Sequence, residues 1–115
     1  MALSELEKKR VERAVAAFME KRRPPPHVRS QIDRGFRIKG QSVEIFDTRP
    51  DWRHPSKTME QSIAKATYVR TVCLWKVFWM RADLKWHAYD PAPQVGTIEK
   101  FLELVDEDKH GCFFG

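Results

Sequence analysis

The chain has little cysteine and no long apolar run, and each shortage excludes a class of protein. Only Cys73 and Cys112 occur among its 115 residues. Residues 1–13 are charged and contain no apolar signal region, so we expect a cytoplasmic protein with reduced thiols. No stretch approaches the roughly 20 apolar residues that a membrane span needs, so we expect no membrane partner.

Several motifs of enzymes and ligand-binding proteins are also missing. No serine or cysteine lies in a nucleophile-elbow sequence, and no glycine-rich run is present to hold a nucleotide phosphate. His110 and Cys112 have no second pair at zinc-ligand spacing. A two-carboxylate nuclease needs an acidic residue two positions before its lysine, where Ile63 precedes Lys65. These shortages favour a protein without catalytic residues, metal or cofactor.

The residues that are present fit one basic domain, residues 1–115. The chain is 42% hydrophobic, which is enough to fill a single core. Lysine and arginine number 21 against 16 acidic residues, so the formal net charge is +5. That charge suits a polyanionic partner if the cations share one surface.

Both ends of the chain predict helices. The first has a capping box at Ser4 and Glu7, and ends before prolines 24–26. Its apolar stripe comprises Leu3, Leu6, Val11, Ala14, Val15 and Phe18. A short second helix begins after its cap, Thr97. We expect the acidic residues 106–108 at its end to have a partner or to face water, and the tail 110–115 to pack back on the body.

The middle of the chain predicts an antiparallel sheet of four or five strands. Alternating residues on both sides of Gly40 and Gln41 predict a hairpin. Residues 48–61 contain two prolines and many charges, which predict a surface loop. Further strands follow over residues 63–89, and the prolines in residues 90–93 are expected to end the sheet. The chain is thus predicted to be α+β, with the C-terminal helix packed on one sheet face.

The tryptophan-rich strands predict two different sheet faces. The face toward the helices is expected to hold Trp75, Val77, Trp79 and Trp86 together with Ala88. Pleating then places Lys76, Phe78, Lys85, His87 and Tyr89 on the opposite face. Register decides whether Arg37, Lys39, Lys65 and Thr67 join them. A flat surface of rings and cations suits single-stranded nucleic acid, because rings stack on bases and cations pair with phosphates.

Nucleic-acid binding, with RNA preferred, is therefore the first functional hypothesis. Its predicted contacts are Lys65, Lys76, Phe78, Arg81, Lys85, His87, Tyr89, Lys21, Arg22 and Arg23. A second hypothesis is a protein-interaction or adaptor module, including a homodimer, that uses Trp52, Phe78, Phe113 and Phe114. A third is a metal-free ribonuclease with His87 as general base near Tyr89 and Arg81.

The strand sequences resemble a known family. The segments VEIF (residues 43–46), AKATY (64–68), WKVFW (75–79) and KWHAY (85–89) are similar to small bacterial proteins known as domain of unknown function 3024. The likeness extends over nearly the whole chain, from the first helix to residues 111–115. It implies a stand-alone bacterial cytoplasmic protein with the α+β fold, and it transfers no catalytic residues.

Overall fold

The computed structural model describes residues 2–114 of the chain, so Met1 and the last residue of the predicted tail, Gly115, lie outside the described residues. The elements in chain order are α1 (Glu5–Arg22), a 3-10 turn (Pro26–Val28), β1 (Asp33–Lys39), β2 (Ser42–Pro50), β3 (Thr58–Val69), β4 (Leu74–Met80), β5 (Trp86–Ala88), β6 (Gln94–Val95) and α2 (Ile98–Glu107). The strands form one antiparallel sheet in the order β1-β2-β3-β4-β5, and β6 pairs with β4. The predicted α+β fold is confirmed.

Helix α1 begins at the predicted capping box. The Ser4 hydroxyl accepts a hydrogen bond from the Glu7 amide at 3.2 Å, and the Glu7 carboxylate accepts one from the Ser4 amide at 2.7 Å. Val15 is fully buried on the inner face of the helix. Leu6 is 81% exposed, so its place in the predicted stripe is wrong. At about 100° per residue, Leu6 points away from the side that Val15 buries.

Strands β2 and β3 are longer than the sequence predicts. Gly40, at φ 62°, makes the tight β1–β2 turn, and the β2–β3 ladder continues to the pair Pro50 and Thr58. The predicted surface loop over residues 48–61 is therefore wrong at both ends, and only residues 51–57 form a loop. This hairpin end, residues 48–61, is called the arm below. It was missed because all of its residues except the half-buried Thr48 and Asp51 are exposed, so no apolar alternation marks its strands.

The hydrophobic core lies between the two helices and one sheet face. Its main members are Val11, Val15, Phe18, Val43, Ile45, Ala64, Ala66, Trp75, Val77, Tyr89, Phe101 and Val105. A register shift beside Ile45 and Phe46 leaves Ile63 as an extra residue in β3. Ile63 and its neighbour Ala64 are both buried, so this bulge adds an apolar side chain to the core.

The register of β5 reverses part of the predicted face assignment. Trp79 pairs with His87, and Met80 pairs with Trp86, while the Tyr89 amide donates to the Val77 carbonyl at 3.0 Å. Because paired residues share a face, His87 and Tyr89 lie on the helix side and Trp86 lies on the opposite side. The predicted orientations of these three residues are wrong, and so is that of Ala88, which pairs with Phe78. Five residues separate Met80 from Trp86. One residue more or fewer in this turn would exchange the two faces of β5.

The sheet continues beyond the prolines of residues 90–93, contrary to prediction. Gln94 pairs with Lys76 and Val95 with Trp75. The Pro93 carbonyl accepts a hydrogen bond from the Val77 amide at 3.0 Å. Proline has no amide hydrogen to donate, but its carbonyl accepts hydrogen bonds like that of any other residue. These residues therefore form a turn inside the sheet.

Helix α2 and the tail close the core as predicted. The Thr97 hydroxyl caps α2 by accepting from the Lys100 amide at 3.2 Å. Asp108 ends the helix in the left-handed conformation, at φ 42°, and its carboxylate accepts from the Phe113 and Phe114 amides at 3.0 and 2.9 Å. Phe113 is thereby held against the buried Tyr89 ring, at a centroid distance of 4.8 Å.

Candidate nucleic-acid interface

The sheet face opposite the helices carries a mixture of cations, rings and hydroxyls. No helix within residues 2–114 lies on it, because both helices share the core with the other face. We call it the open face. Its members are Arg37, Lys39, Ser42, Glu44, Phe46, Lys65, Thr67, Lys76, Phe78, Met80, Trp86, Ala88 and Gln94. The predicted placement of Lys76 and Phe78 is confirmed, and the register adds Arg37, Lys39, Lys65 and Thr67.

Lys65 stands at the centre of this face between two aromatic rings. Its Nζ atom lies 4.9 Å from the centroid of Phe78 and 4.9 Å from that of Trp86. A cation over a ring at such a distance gains about 0.5–1 kcal/mol at an exposed site. Glu44, which pairs with Lys65 across the strands, bonds Arg37 instead at 3.6 Å. Within residues 2–114, Lys65 therefore keeps its charge free of a carboxylate partner.

The next row of the open face is polar and positively charged. Ser42 and Thr67 share a hydrogen bond between their hydroxyls at 2.7 Å. Lys39 and Lys76 flank this pair in the row and are exposed. Neither lysine forms a salt bridge with another residue in the described part of the chain. The two rows together thus hold three unpaired ammonium groups around a hydroxyl pair.

The β1 end of the open face is closed by its own side chains. The Arg37 guanidinium lies 4.3 Å from the Phe46 centroid and also bonds Glu60. The outer end of the Phe46 ring lies over Gly35, where an added Cβ would approach the ring to 3.1 Å. Because Arg37 is already neutralised and the Phe46 ring is covered, the accessible part of the face lies over β3, β4 and β5.

Arg81 and Lys85 lie in the exposed turn between β4 and β5. The Arg81 amide donates to the Lys85 carbonyl at 3.3 Å, which continues the pairing of Trp79 with His87, and the Arg81 guanidinium lies 5.5 Å from the Trp79 centroid. Both residues are therefore on the helix side, and the predicted place of Lys85 on the open face is wrong. The Asp83 carboxylate accepts from the Lys85 amide at 3.0 Å and lies 2.8 Å from His87 Nε2. The hydrogen bond to His87 is the main cause that lowers the pKa of Asp83. His87 is thus engaged at the helix-side edge of the turn.

Tyr89 is unable to serve as the predicted contact residue. It is only 2% exposed, and burial raises the pKa of its hydroxyl. A ring in that position reaches neither a base nor a substrate. The trio of His87, Tyr89 and Arg81 therefore does not share an accessible surface. Trp86, which sequence reasoning placed with the core, lies on the open face instead.

The basic cluster at the end of α1 pairs with carboxylates inside the chain. Lys21 lies 3.6 Å and Arg22 2.6 Å from the Asp106 carboxylate, which confirms that the acidic end of α2 has a partner. Arg23 makes two hydrogen bonds of 2.9 Å to Asp33 and lowers the pKa of that carboxyl to about 2. These pairs join the end of α1 to α2 and β1, so they leave less charge for a phosphate than the sequence predicts.

Three further observations concern the thiols, possible metal ligands and membrane-spanning helices. Cys73 and Cys112 are free thiols. Over residues 2–114, no group of three or more His, Cys, Asp or Glu side chains is close enough to hold a metal ion. None of the helices in that range has the length and apolar character to cross a membrane.

Comparison with known proteins assigns the chain to a family. The family model described as Domain of unknown function (DUF3024) matches residues 3–115. No curated protein and no solved structure gives a significant match. The match covers nearly the whole chain and confirms the resemblance seen in the strand sequences. The chain therefore belongs to the family Domain of unknown function (DUF3024).

Proposed function

We propose that this protein is a non-catalytic binder of single-stranded nucleic acid, with RNA preferred, and that its open face is the binding surface. The observation that carries the proposal is the position of Lys65, whose ammonium lies between the rings of Phe78 and Trp86. A phosphate that pairs with this ammonium lies beside two rings on which bases can stack. Base–ring stacking is worth about 1–3 kcal/mol per base.

The unpaired lysines supply the electrostatic part of binding. Lys39, Lys65 and Lys76 lie on one face and have no carboxylate partner among the described residues. Each phosphate that they neutralise releases counterions, so affinity falls as salt rises. Phe78, Trp86 and these three lysines are the proposed site. Arg81, Lys85, Tyr89 and the Lys21–Arg23 cluster are not part of it.

The preference for RNA rests on the hydroxyls of Ser42 and Thr67. They lie in the same row as Lys76, next to the phosphate-binding charge. Hydroxyl groups donate and accept hydrogen bonds, and the ribose 2′-hydroxyl is the group that distinguishes RNA from DNA. As part of this proposal, the protein acts in the bacterial cytoplasm, a reducing compartment that fits its two free thiols.

The proposal is tested by charge reversal on the open face. Binding of fluorescein-labelled 15-nucleotide RNA and DNA is measured by anisotropy at 50 and 200 mM salt. We expect Lys65→Glu and Lys76→Glu each to weaken RNA binding about tenfold or more, and higher salt to weaken the wild type. Lys9→Glu, on the exposed side of α1, is the matched control with the same change in net charge. Equal losses for Lys9→Glu and Lys65→Glu, or no binding by the wild type, would refute the proposal.

A homodimer is the second candidate function, and a groove between the arm and the tail favours it. The groove has a volume of about 730 Å³ and is lined by Met59, Leu84, Phe113 and Phe114, among others. Leu84 is 81% exposed and Met59 46% exposed, so apolar side chains lie open on its two walls. Sedimentation velocity at 5 and 200 µM tests this candidate. If the protein is a homodimer, its mass rises with concentration, and Leu84→Asp abolishes that rise.

A further inference from the structure

The arm is an ordered hairpin that contributes nothing to the core. β1 begins at Asp33, opposite Thr48, and β4 pairs with β3 only as far as Ala64. Beyond those points the two strands of the arm pair only with each other. Its residues from 49 to 61 are exposed, apart from the half-buried Asp51. A two-stranded ribbon of this kind is only marginally stable alone. Because its side chains are exposed, packing within the domain does not explain which residue types it carries.

The loop at the end of the arm has a defined backbone. The Asp51 amide donates to the Lys57 carbonyl at 2.8 Å, and the Lys57 amide donates to the His54 carbonyl at 2.8 Å. The Asp51 carboxylate also accepts from the Arg53 amide at 2.9 Å. These bonds hold Trp52 at the end of the arm, where its side chain is 79% exposed.

The chemistry of this tip is an aromatic ring with positive charge around it. The Arg53 guanidinium lies 4.8 Å from the Trp52 ring centroid. Residues 49–57 contain Arg49, Arg53 and Lys57 against one acidic residue, Asp51, which is a formal charge of three minus one, or +2. Arg53 and Lys57 form no salt bridge with any residue in the range 2–114. Apart from Pro50 and Pro55, the residues that accompany Trp52 in this segment are charged or polar.

We infer that the arm is a second contact for single-stranded nucleic acid, in which Trp52 stacks on a base and Arg53 and Lys57 bind the adjacent phosphates. Charge complementarity favours this ligand, since a polyanion neutralises the tip while one of its bases covers the indole. A protein interface would surround a tryptophan anchor with contacts that exclude water, and this tip offers few of them. The inference rests on the proposed function, because the same strand is taken to occupy the open face.

The distance between the two contacts sets the length of ligand that reaches both. Lys65 and Thr58 are seven residues apart along β3, or about 23 Å at 3.3 Å per residue. Trp52 lies beyond Thr58, in the loop at the end of the arm. A strand that advances about 3.4 Å per nucleotide therefore needs at least about seven nucleotides to join Lys65 to the contacts at that end. The arm should therefore affect binding of a 15-nucleotide RNA and leave binding of a 5-nucleotide RNA unchanged.

The experiment compares Trp52→Ala with Trp52→Phe and with Arg53→Ala/Lys57→Ala, using labelled oligouridine of 15 and 5 nucleotides. We expect Trp52→Ala to weaken binding of the 15-mer about tenfold, which lies within the range of one stacked base. Trp52→Phe should recover most of that loss because it retains a ring. Leu84→Ala, equally exposed in another loop, is the control and should not change RNA binding. Thermal unfolding midpoints should stay the same, since Trp52 does not belong to the core.

Each result separates the arm from the open face. Weaker 15-mer binding by Lys65→Glu but not by Trp52→Ala overturns the arm inference and leaves the proposed function intact. Weaker 15-mer binding by Trp52→Ala but not by Lys65→Glu supports the arm as a nucleic-acid contact and overturns the open face as the binding surface. Absence of RNA binding by the wild type overturns both. Should Trp52→Ala instead abolish binding to anionic phosphatidylserine vesicles or self-association, with RNA binding unchanged, the arm inference fails.

Discussion

Arg34 and Asp47 form an ion pair beneath the C-terminal tail. Their side chains are 11% and 7% exposed, and two hydrogen bonds of 2.8 and 3.3 Å join them. Arg34 also donates to the Arg22 carbonyl at 2.8 Å and lies 4.5 Å from the Phe114 ring centroid. One guanidinium thus connects the end of α1, strand β2 and the tail.

Loss of one member of this pair should destabilise the domain strongly. We expect Asp47→Ala to lower the free energy of unfolding by about 3 kcal/mol, because it leaves the Arg34 charge buried without a partner. Arg23→Ala breaks the exposed pair with Asp33 and should cost at most about 1 kcal/mol. Urea titrations followed by tryptophan fluorescence measure both values. Similar values for the two variants would contradict a structural role for the buried pair.

The carboxylates that pair with arginine make stability depend on acid pH. Arg23 lowers the pKa of Asp33 from 3.8 to about 2, and Arg22 lowers that of Asp106. A lowered folded-state pKa means that the stabilisation is complete above the unfolded-state pKa and is lost as pH falls toward the folded one. We therefore expect the free energy of unfolding to decline between about pH 5 and pH 2. Arg23→Ala should make this decline shallower in urea titrations, and an unchanged pH profile would argue against the Asp33 contribution.

Single residues show where sequence reasoning ends. The apolar stripe of α1 is readable from its spacing, except at Leu6, where residue type suggested burial and helical geometry prevents it. The exchange of Trp86 and Tyr89 between faces was not readable. It depends on the number of residues in the β4–β5 turn and on the left-handed conformation of Leu84, at φ 62°, which no alternation pattern reveals.

At the scale of elements, local signals identified both helices. Caps and prolines act within a few residues, so Ser4, Thr97 and the proline triplet marked their ends correctly. The arm and β6 were missed for a different reason. The arm has no buried face, and β6 is a two-residue strand whose pairing with β4 depends on a turn containing proline.

The cap of α1 is a testable element signal. Ser4→Ala removes the hydroxyl that accepts from the Glu7 amide, and we expect it to lower the free energy of unfolding by about 1 kcal/mol. Ser56→Ala, in the exposed loop of the arm, should change it by less than about 0.5 kcal/mol. Chemical denaturation monitored by far-ultraviolet circular dichroism compares the two. A loss for Ser56→Ala as large as that for Ser4→Ala would show that the cap is not responsible.

At the scale of the whole molecule, the fold class followed from element order, while the candidate site depended on register. Helix, strands and helix predict an α+β domain because each helix has one apolar side to cover. Which lysines share a surface with which rings is set by long-range strand pairing. Lys65, Phe78 and Trp86 lie on three different strands, and their contact is visible only in three dimensions.

The tail holds the two ends of the chain on one core. Phe113 is 7% exposed and packs on Tyr89, which itself lies on the sheet. We expect Phe113→Ala to cost about 3–4 kcal/mol through the lost burial and the cavity that remains. Leu6→Ala, at a residue that is 81% exposed, should cost less than about 0.5 kcal/mol. Thermal unfolding by differential scanning calorimetry tests this pair, and equal shifts would exclude a role of the tail in closing the core.

Closure by the tail also constrains how the protein is made. Helix α1 is translated before the other elements of this domain, but the core that Val11, Val15 and Phe18 share with α2 and Phe113 is complete only after nearly a hundred further residues. Until then the nascent chain carries an uncovered apolar helix and long antiparallel strands, which are prone to aggregate. Closure of the core therefore waits until the tail has been translated, and at about 5–20 residues per second chaperones that shield apolar helices have several seconds in which to act.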